Sequence, residues 1–528
     1  MNDLAGTGRL LALALRRDRV TVALSALGIA GMMLVTALSY KGLYPTEAER
    51  VRAASAITTN AALIAVAGPP HALDTFGGLT AWKSGLWSAM GMALIGALLA
   101  VRHTRSEEEK GQTELLLSAA VGRLAPTAAG LLLVSLLSAL TAVLSAGGLI
   151  AVGIDTSGSL ALAAWIAGAG IAFGTAGALA GQLVSTARAA NGLAATAVGA
   201  AFALRAIGDT GDGTLTWLSP LGWGEELRAY GDERWWPLVL YVSAVPLTLA
   251  AVWMLQRRRD LGSGILPARR GPARAAGSLP HPLGLALRLQ RASLIGWTLG
   301  LLVSGIGFGA VGKSVEDLAQ SGSAAQGIVL RGGGSLRDSF FAAMVTLLAL
   351  IASGFAVQAA LRPHADEATG RAETLLATAL GRRAWAGSHL LLAMGGSAVV
   401  LLVTGIGLGL GDMLNGHGIG EVPREAGAAL AQVPAVWVLA ALATLLLGVA
   451  PRALGLAWGA IVACVAIWII GPILDVPGWV LDLSPFQHVP ALPAADLDVV
   501  PLLWLTGIAA ALSAAGLAAL ARRDIASS

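Results

Sequence analysis

Twelve runs of apolar residues, each long enough to cross a bilayer as a helix, follow one another along the chain. A bilayer core about 30 Å thick needs roughly 20 apolar residues of helix, and none of the runs carries Asp or Glu in its interior. The pattern therefore predicts an all-α polytopic membrane protein with twelve transmembrane helices. The runs lie near residues 20–40, 82–101, 125–152, 160–184, 191–208, 236–256, 293–312, 339–361, 386–411, 431–449, 453–473 and 500–521.

The composition indicates that lipid is the main solvent of this chain. Only 12% of its 528 residues are charged and its mean hydropathy is +0.73, whereas a soluble domain carries about 25% charged residues. The net charge of +4 suits the basic loops of a membrane protein better than a nucleic-acid-binding protein. The single cysteine, Cys464, lies in an apolar run, so neither a disulfide framework nor a metal cluster is expected.

The distribution of Lys and Arg predicts which side of the membrane each loop occupies. With the N-terminus placed in the cytoplasm, the cytoplasmic segments hold 24 of the 35 basic residues and the outer loops hold nine. Because the cytoplasmic loops of membrane proteins are enriched in Lys and Arg, we expect an inner-membrane protein with both termini in the cytoplasm. The N-terminal segment leads directly into a full-length span, so no cleavable signal peptide is expected.

An internal repeat divides the chain into two halves. Residues 111–123 align without gaps to residues 370–382, at an offset of 259. Three shorter matches flank this one: Glu107-Glu108 with Asp366-Glu367, Ser219-Pro220 with Ser484-Pro485, and Arg258-Arg259-Asp260 with Arg522-Arg523-Asp524. Each half has six spans, an even number, so the copies are expected to share one orientation as parallel repeats, a pseudo-dimer in one chain. The predicted units are residues 1–256 and 281–528, joined by a flexible cytoplasmic linker over residues 257–280.

The loop after the second span of each half has the sequence of a partner-binding element. Residues 107–111 form an acidic cluster that ends in glycine, which can begin a short helix with acidic residues at its positive end. Leu115, Leu116 and Ala119 then place an apolar edge beside the acidic one, as in helices that fit a groove on a partner protein. The alternative is a solvated charged loop, and the second copy of the pattern at residues 366–382 makes that reading less favourable.

On these features, the chain resembles the membrane subunit of ABC-2 type exporters, specifically the duplicated twelve-span permeases called exporters of polyketide antibiotics in actinobacteria. The resemblance covers the whole chain and implies a type V ABC exporter-like fold. It implies that the loop after the second span is a coupling helix that docks on a separate ATPase subunit, present in two copies, which would hold ATP and Mg. The coupling residues so implicated are Glu107, Glu108, Gly111 and Glu114 in the first half and Glu367, Gly370 and Glu373 in the second.

The resemblance also implies an outer gate and a pair of interfacial helices. In the family, the outer segment before the sixth span dips back into the membrane. The candidate gate residues are Trp217, Pro220 and Trp223 in the first half and Pro485 and Phe486 in the second, although interfacial Trp anchors explain the aromatic residues equally well. An amphipathic helix would precede the first span of each half, around Leu10–Arg17 and Leu283–Arg291.

The positions of the charged residues indicate which source of energy would drive transport. Carriers driven by an ion gradient usually hold carboxylates at mid-membrane, and the predicted spans contain none. Arg205 is the only ionisable residue well inside a span, and we expect it to snorkel to the outer interface. Residues 307–314 match the phosphate-binding pattern GxxxxGK[ST], but they end a span on the outer side, so they are read as helix packing and an interfacial Lys313.

These observations favour the permease subunit of an ATP-driven exporter, which is not itself an enzyme and moves hydrophobic or amphipathic compounds such as antibiotics or drugs. Three alternatives stay open: an ion-driven multidrug carrier, a membrane-embedded enzyme, and a scaffold or sensor protein. The enzyme would need clustered acidic or His residues at one membrane face. The outer loops offer only scattered candidates without metal-ligand spacing, which we read as loop solvation: His71, Asp74, Asp209, Asp212, Glu225, Glu226, His417 and His488.

Overall fold

The computed structural model describes residues 2–51, 64, 67–266, 273–310, 312, 335–470 and 477–524. These residues form helices joined by loops, and no strand occurs among them. Eleven helices within this part are long and apolar enough to cross a membrane, and a shorter apolar helix occupies the position of the remaining predicted span. The all-α polytopic membrane fold is thus confirmed. The shorter helix is followed by residues 471–476, which lie outside the described part of the chain.

The helices are numbered α1 to α12 in chain order. The first six are α1 Thr7–Leu43, α2 Phe76–Glu109, α3 Ala125–Ala151, α4 Thr156–Leu183, α5 Ala187–Thr210 and α6 Leu238–Arg258. The second six are α7 Pro282–Ala310, α8 Arg337–Ala368, α9 Arg382–Met413, α10 Glu421–Val449, α11 Gly455–Ile470 and α12 Val499–Arg522.

The chain divides into two compact units, Met1–Gly271 and Pro272–Ser528, with the boundary inside the predicted linker. Each unit has its own apolar core. The start of the linker is not a free connector, because the amides of Ile265 and Leu266 donate to the carbonyls of Gln182 and Leu183 at the end of α4. The prediction of a flexible segment therefore fails for its first residues.

Small residues let the helices approach closely within each unit. A Cβ atom on Gly96 of α2 would lie 2.5 Å from the carbonyl oxygen of Gly170 in α4. In the second unit, a Cβ atom on Gly409 of α9 would lie 2.4 Å from the Cα atom of Val422 in α10. Larger side chains at these positions would push the helices apart.

The predicted interfacial helices do not form as separate elements. Helix α1 runs without a break for 37 residues and α7 for 29, which correspond to about 56 and 44 Å at 1.5 Å per residue. Both lengths exceed the roughly 30 Å of a bilayer core. The segments Leu10–Arg17 and Leu283–Arg291 are therefore continuous with the spans that follow them.

Candidate functional site

The loop after the second span folds into the same bent element in both units. The first elbow, residues 107–117, joins the end of α2 to a short helix, Gln112–Leu117, through Gly111. The second elbow, residues 366–376, joins the end of α8 to Arg371–Leu376 through Gly370. Both glycines have a φ of +71°, which non-glycine residues rarely adopt. The single amphipathic helix expected from the sequence is therefore bent at the glycine.

Each elbow presents one of the predicted coupling glutamates to solvent. Glu114 and Glu373 occupy equivalent, exposed positions in the first turn of the two short helices. Leu115 beside Glu114 is 75% exposed, whereas the second elbow has the exposed Thr374 at that position. The two exposed faces thus share an acidic residue and differ in the apolar one.

Glu108 has a different environment from Glu114, because it is buried in the first unit. Its two carboxylate oxygens accept hydrogen bonds from the Arg259 guanidinium at 2.6 and 2.7 Å, a bidentate pair, and the Gly262 amide donates to it at 2.6 Å. Arg259 follows the last residue of α6. The pair therefore fastens the elbow to the end of the sixth span.

Two further residues, Arg105 and Gln182, contact the Glu108–Arg259 pair, and these four residues together are called the joint. Arg105 lies in a π-helical turn of α2, where its side chain is fully buried and its Nη1 lies 3.4 Å from Glu108. Its Nε donates to the carbonyl oxygen of Gly181 in α4 at 2.9 Å. Arg259 also donates to the side-chain oxygen of Gln182 at 2.6 Å. The ends of α2, α4 and α6 therefore meet at one carboxylate.

The second unit contains the equivalent joint. Glu367 accepts a hydrogen bond from Arg523, which follows the last residue of α12 and also donates to the Leu447 carbonyl oxygen in α10 at 3.0 Å. Arg382 donates to the carbonyl oxygen of Arg523 at 2.7 Å. Its repeat equivalent in the first unit, Arg123, likewise donates to the carbonyl oxygen of Arg259, at 2.9 Å.

The first elbow has an additional attachment to α1. Asp18, which is 1% exposed, accepts from Nε2 of His103 at 2.7 Å, and the other ring nitrogen lies 3.3 Å from Glu107. In the second unit, Arg362 and Asp366, the repeat equivalents of His103 and Glu107, form an ion pair within α8 at 3.3 Å. The basic residue that faces the first acidic position of the elbow is therefore a histidine in one unit and an arginine in the other.

The seven predicted coupling residues thus fall into three groups. Glu114 and Glu373 are exposed, and the two glycines set the bend. The remaining three attach the elbow to the helices, so their side chains lie inside the unit instead of on a docking face: Glu107, Glu108 and Glu367.

The segment before α6, which the sequence predicts on the outer side, folds back into the first unit. Ser219, which is fully buried, donates to the carbonyl oxygen of Ala201 at 2.7 Å. Ala201 precedes the end of α5 at Thr210 by nine residues, which is about 14 Å of helix. Ser219 also caps the short helix Pro220–Glu225. The segment therefore descends several turns below the end of α5.

Aromatic contacts fix the candidate gate residues of the first unit. Trp217 stacks on Trp236 with the ring centroids 5.0 Å apart, and the Trp223 indole donates to the Trp217 carbonyl oxygen at 2.6 Å. Trp223 also packs edge-on against Tyr241 of α6 at 5.3 Å, and the Tyr241 hydroxyl donates to the carbonyl oxygen of Pro220. The segment is thus attached to α6.

The second unit has a shorter segment at the equivalent place. Pro485 begins a single 3-10 turn, and Phe486 within it is buried. Ser484 is also buried, as its repeat equivalent, Ser219, is.

Arg205 does not snorkel to the interface, which corrects the expectation from the sequence. Its side chain is fully buried, with Asp209 at 3.1 Å and Glu225 at 3.4 Å. Asp209 accepts from the Thr216 hydroxyl at 2.7 Å. Burial raises the pKa of Glu225 well above its usual value, while Arg205 acts in the opposite direction. Asp209 and Glu225 are therefore part of a buried ion cluster, not solvated loop residues.

The second unit also holds carboxylates that the sequence reasoning placed in a loop. Glu425 lies in the second turn of α10, is fully buried, and neither of its carboxylate oxygens has a hydrogen-bond partner among the described residues. Asp412, near the end of α9, is fully buried and pairs with Arg337. The expectation that the spans lack buried carboxylates is therefore wrong at their predicted outer ends. Lys313 and Ser314 of the GxxxxGK[ST] match lie outside the described residues.

The chain is similar to proteins of known class. A family model described as the C-terminal domain of the multidrug efflux system permease Rv1217c matches residues 279–520, which span α7 to most of α12. The multidrug efflux system permease protein Rv1217c of Mycobacterium tuberculosis (strain ATCC 25618 / H37Rv) is 40% identical over 524 residues, or 98% of this chain and 95% of the relative. The match therefore covers both six-helix units, and this chain belongs to the family of the multidrug efflux system permease Rv1217c.

Proposed function

We propose that this chain is the transmembrane permease subunit of an ATP-driven ABC-2 type exporter, which moves hydrophobic or amphipathic compounds, drugs and antibiotics among them, across the inner membrane and out of the cell. The relative's name, a multidrug efflux system permease, supports the class of transporter. The repeated elbow supports the ATP-driven mechanism, and it is the observation on which the proposal rests.

Coupling requires that a force on the elbow be passed to the spans, and the joint in each unit provides that connection. A force on Glu114 would reach Glu108 within two helical turns, and the buried bidentate pair would pass it to Arg259 at the end of α6. Because Arg105 and Gln182 join the same cluster, α4 would move with it. The elbow therefore works as a lever on several spans, whereas a loop held only by solvent would bend.

The proposed partner is a separate ATPase, present in two copies, that binds ATP and Mg itself. Each copy would contact one elbow through a groove with basic groups facing Glu114 or Glu373 and an apolar wall facing Leu115. The first docking site would bind more tightly than the second, because Leu115 buries apolar area that Thr374 lacks. Both elbows would lie in the cytoplasm, the side that the Lys and Arg count predicts.

Charge reversal at the elbows tests this proposal. We expect Glu114→Arg with Glu373→Arg to abolish co-purification of an ATP-binding cassette subunit and drug-stimulated ATP hydrolysis, while the permease stays folded. Glu47→Arg, at an exposed position at the opposite end of the first unit, is the matched control and should change neither. Unchanged co-purification and hydrolysis in the double variant would refute the docking role of the elbows.

A proton-coupled drug carrier is the second candidate, and one observation favours it. Glu425 is a fully buried carboxyl in a span, without a hydrogen-bond partner among the described residues, beside the Arg337–Asp412 pair. Buried ionisable groups in spans often mark proton pathways. If this candidate is correct, a protonophore stops transport at constant ATP and Glu425→Gln is inactive. If the ATP-driven proposal is correct, both leave ATP-dependent transport largely intact.

A further inference from the structure

The last two turns of α6 border a pair of adjoining cavities on the first unit. The first cavity has an apolar wall and encloses about 300 Å³ between α3, α4 and α6, with Leu4 and Thr7 at one end. Its principal apolar residues are Leu131, Leu132, Val134, Val245, Leu249 and Trp253. A second cavity of about 390 Å³ adjoins it at Trp253 and ends at Arg257 and Arg258.

Two polar groups near the place where the cavities meet, the Trp253 N–H and the Arg258 guanidinium, lack a partner within the described residues. The Nε1–H of Trp253 is buried and donates no hydrogen bond. The exposed guanidinium of Arg258 has no ion pair with any residue that the structure describes, whereas Arg257 next to it pairs with Asp3 at 2.7 Å. The groove therefore leads from an apolar channel past the Trp253 ring to the unpaired positive charge of Arg258, in that order along α6.

This sequence of environments matches the parts of one phospholipid molecule. An acyl chain suits the channel, an interfacial Trp ring suits the level of the glycerol esters, and an anionic headgroup is attracted by Arg residues at the end of a span. A zwitterionic headgroup carries no net negative charge that could compensate the positive charge of Arg258. We propose that this groove, the α6 groove, binds an anionic phospholipid of the cytoplasmic leaflet with one acyl chain between α3 and α6.

Occupancy of the α6 groove would stabilise the joint below the first elbow. Arg258 directly precedes Arg259, the partner of Glu108, and Arg257 holds the N-terminal segment through Asp3. A lipid at this place therefore fixes the end of α6 against α3. The proposal is independent of the source of transport energy, because it concerns binding to the permease alone.

Lipid binding to the purified, delipidated full-length chain tests the proposal by native mass spectrometry. Phosphatidylglycerol should give one tight site, and phosphatidylcholine with the same acyl chains should bind at least tenfold more weakly. Each Arg near an anionic lipid surface contributes about 1 kcal/mol, so R257Q with R258Q should weaken the tight site by about thirtyfold. Val245→Trp, which fills the channel and keeps both arginines, should also weaken it.

The control is a second pair of exposed arginines at the same end of the unit. R16Q with R19Q on α1 removes the same charge outside the groove, and we expect a change of less than threefold. Equal weakening by the two arginine pairs would show only general attraction to a basic surface and would overturn the proposal. Equal binding of the two lipids would overturn it as well. The arginine pairs are on the surface, so the comparison holds even if Val245→Trp folds poorly.

Discussion

Replacing Glu108 by Gln removes the charge at the centre of the first joint and keeps its shape. Arg259 and Arg105 would then both be buried beside a neutral amide, since their side chains are 5% and 0% exposed. Removing one partner of a buried ion pair costs about 3–5 kcal/mol, because it leaves an uncompensated charge. We expect about 3 kcal/mol for Gln, which retains part of the hydrogen bonding.

The second unit provides an internal comparison for this expected loss of stability. Glu367 and Arg523 form the equivalent pair, but their side chains are 11% and 17% exposed, so water can solvate the charge that remains. Glu367→Gln should therefore cost less, about 1–2 kcal/mol. For a unit of this size, 1 kcal/mol shifts Tm by about 2–4 °C, which gives about 6–12 °C for Glu108→Gln and about 2–8 °C for Glu367→Gln.

Thermal unfolding of the purified permease in detergent measures both shifts. Glu114→Gln, at the exposed position of the same elbow, is the matched control and should change Tm by less than about 1 °C, as surface substitutions do. Arg259→Gln combined with Glu108→Gln should cost less than the sum of the single changes, because the two residues interact directly. Additive free-energy costs of the two substitutions, or an unchanged Tm in Glu108→Gln, would refute the claim that the Glu108–Arg259 pair stabilises the first unit.

Three further predictions concern the bend, the outer cluster and the helix packing. Gly111→Ala should lower stability by about 1 kcal/mol, since its φ is positive and its surroundings are open, and Gly111→Asn should restore part of the loss; equal stability of the three forms would contradict this. The raised pKa of Glu225 means that the folded state binds the proton more tightly, so stability should fall as the pH rises above about 4.5; Glu225→Gln should reduce that slope, and an unchanged slope would contradict the assignment to Glu225. Gly96→Ala should destabilise the contact between α2 and α4 by about 1–3 kcal/mol, whereas Gly91→Ala on the same helix, with open space around it, should be neutral in the same unfolding assay.

The sequence is enough to predict the spans and the repeat, because both depend on local pattern. It also aligns three residues that the two joints share: Glu108 with Glu367, Arg259 with Arg523 and Arg123 with Arg382. It does not show that these residues contact one another, since the glutamates and arginines are 151 and 156 positions apart. That contact depends on how the helices pack, which no pattern within a single helix encodes.

The misassigned charges have a similar physical cause. The sequence places Arg205 close to the predicted outer end of its span, which favours snorkelling, yet Glu225 reaches it when the segment before α6 folds back. Glu425 was assigned to a loop because Glu421 and Arg424 lower the hydropathy before residue 431. The helix nevertheless begins at Glu421, and glycines of α9 pack against its first turns. Burial in both places results from tertiary contacts.

Transport by reconstituted vesicles tests the central claim most directly. Vesicles that contain the permease together with its ATP-binding subunit should accumulate a fluorescent amphipathic drug only when ATP is supplied on the side of the elbows. Vesicles that contain the permease alone should accumulate none, with or without an imposed ion gradient. Accumulation by the permease alone under a proton or sodium gradient would contradict the account.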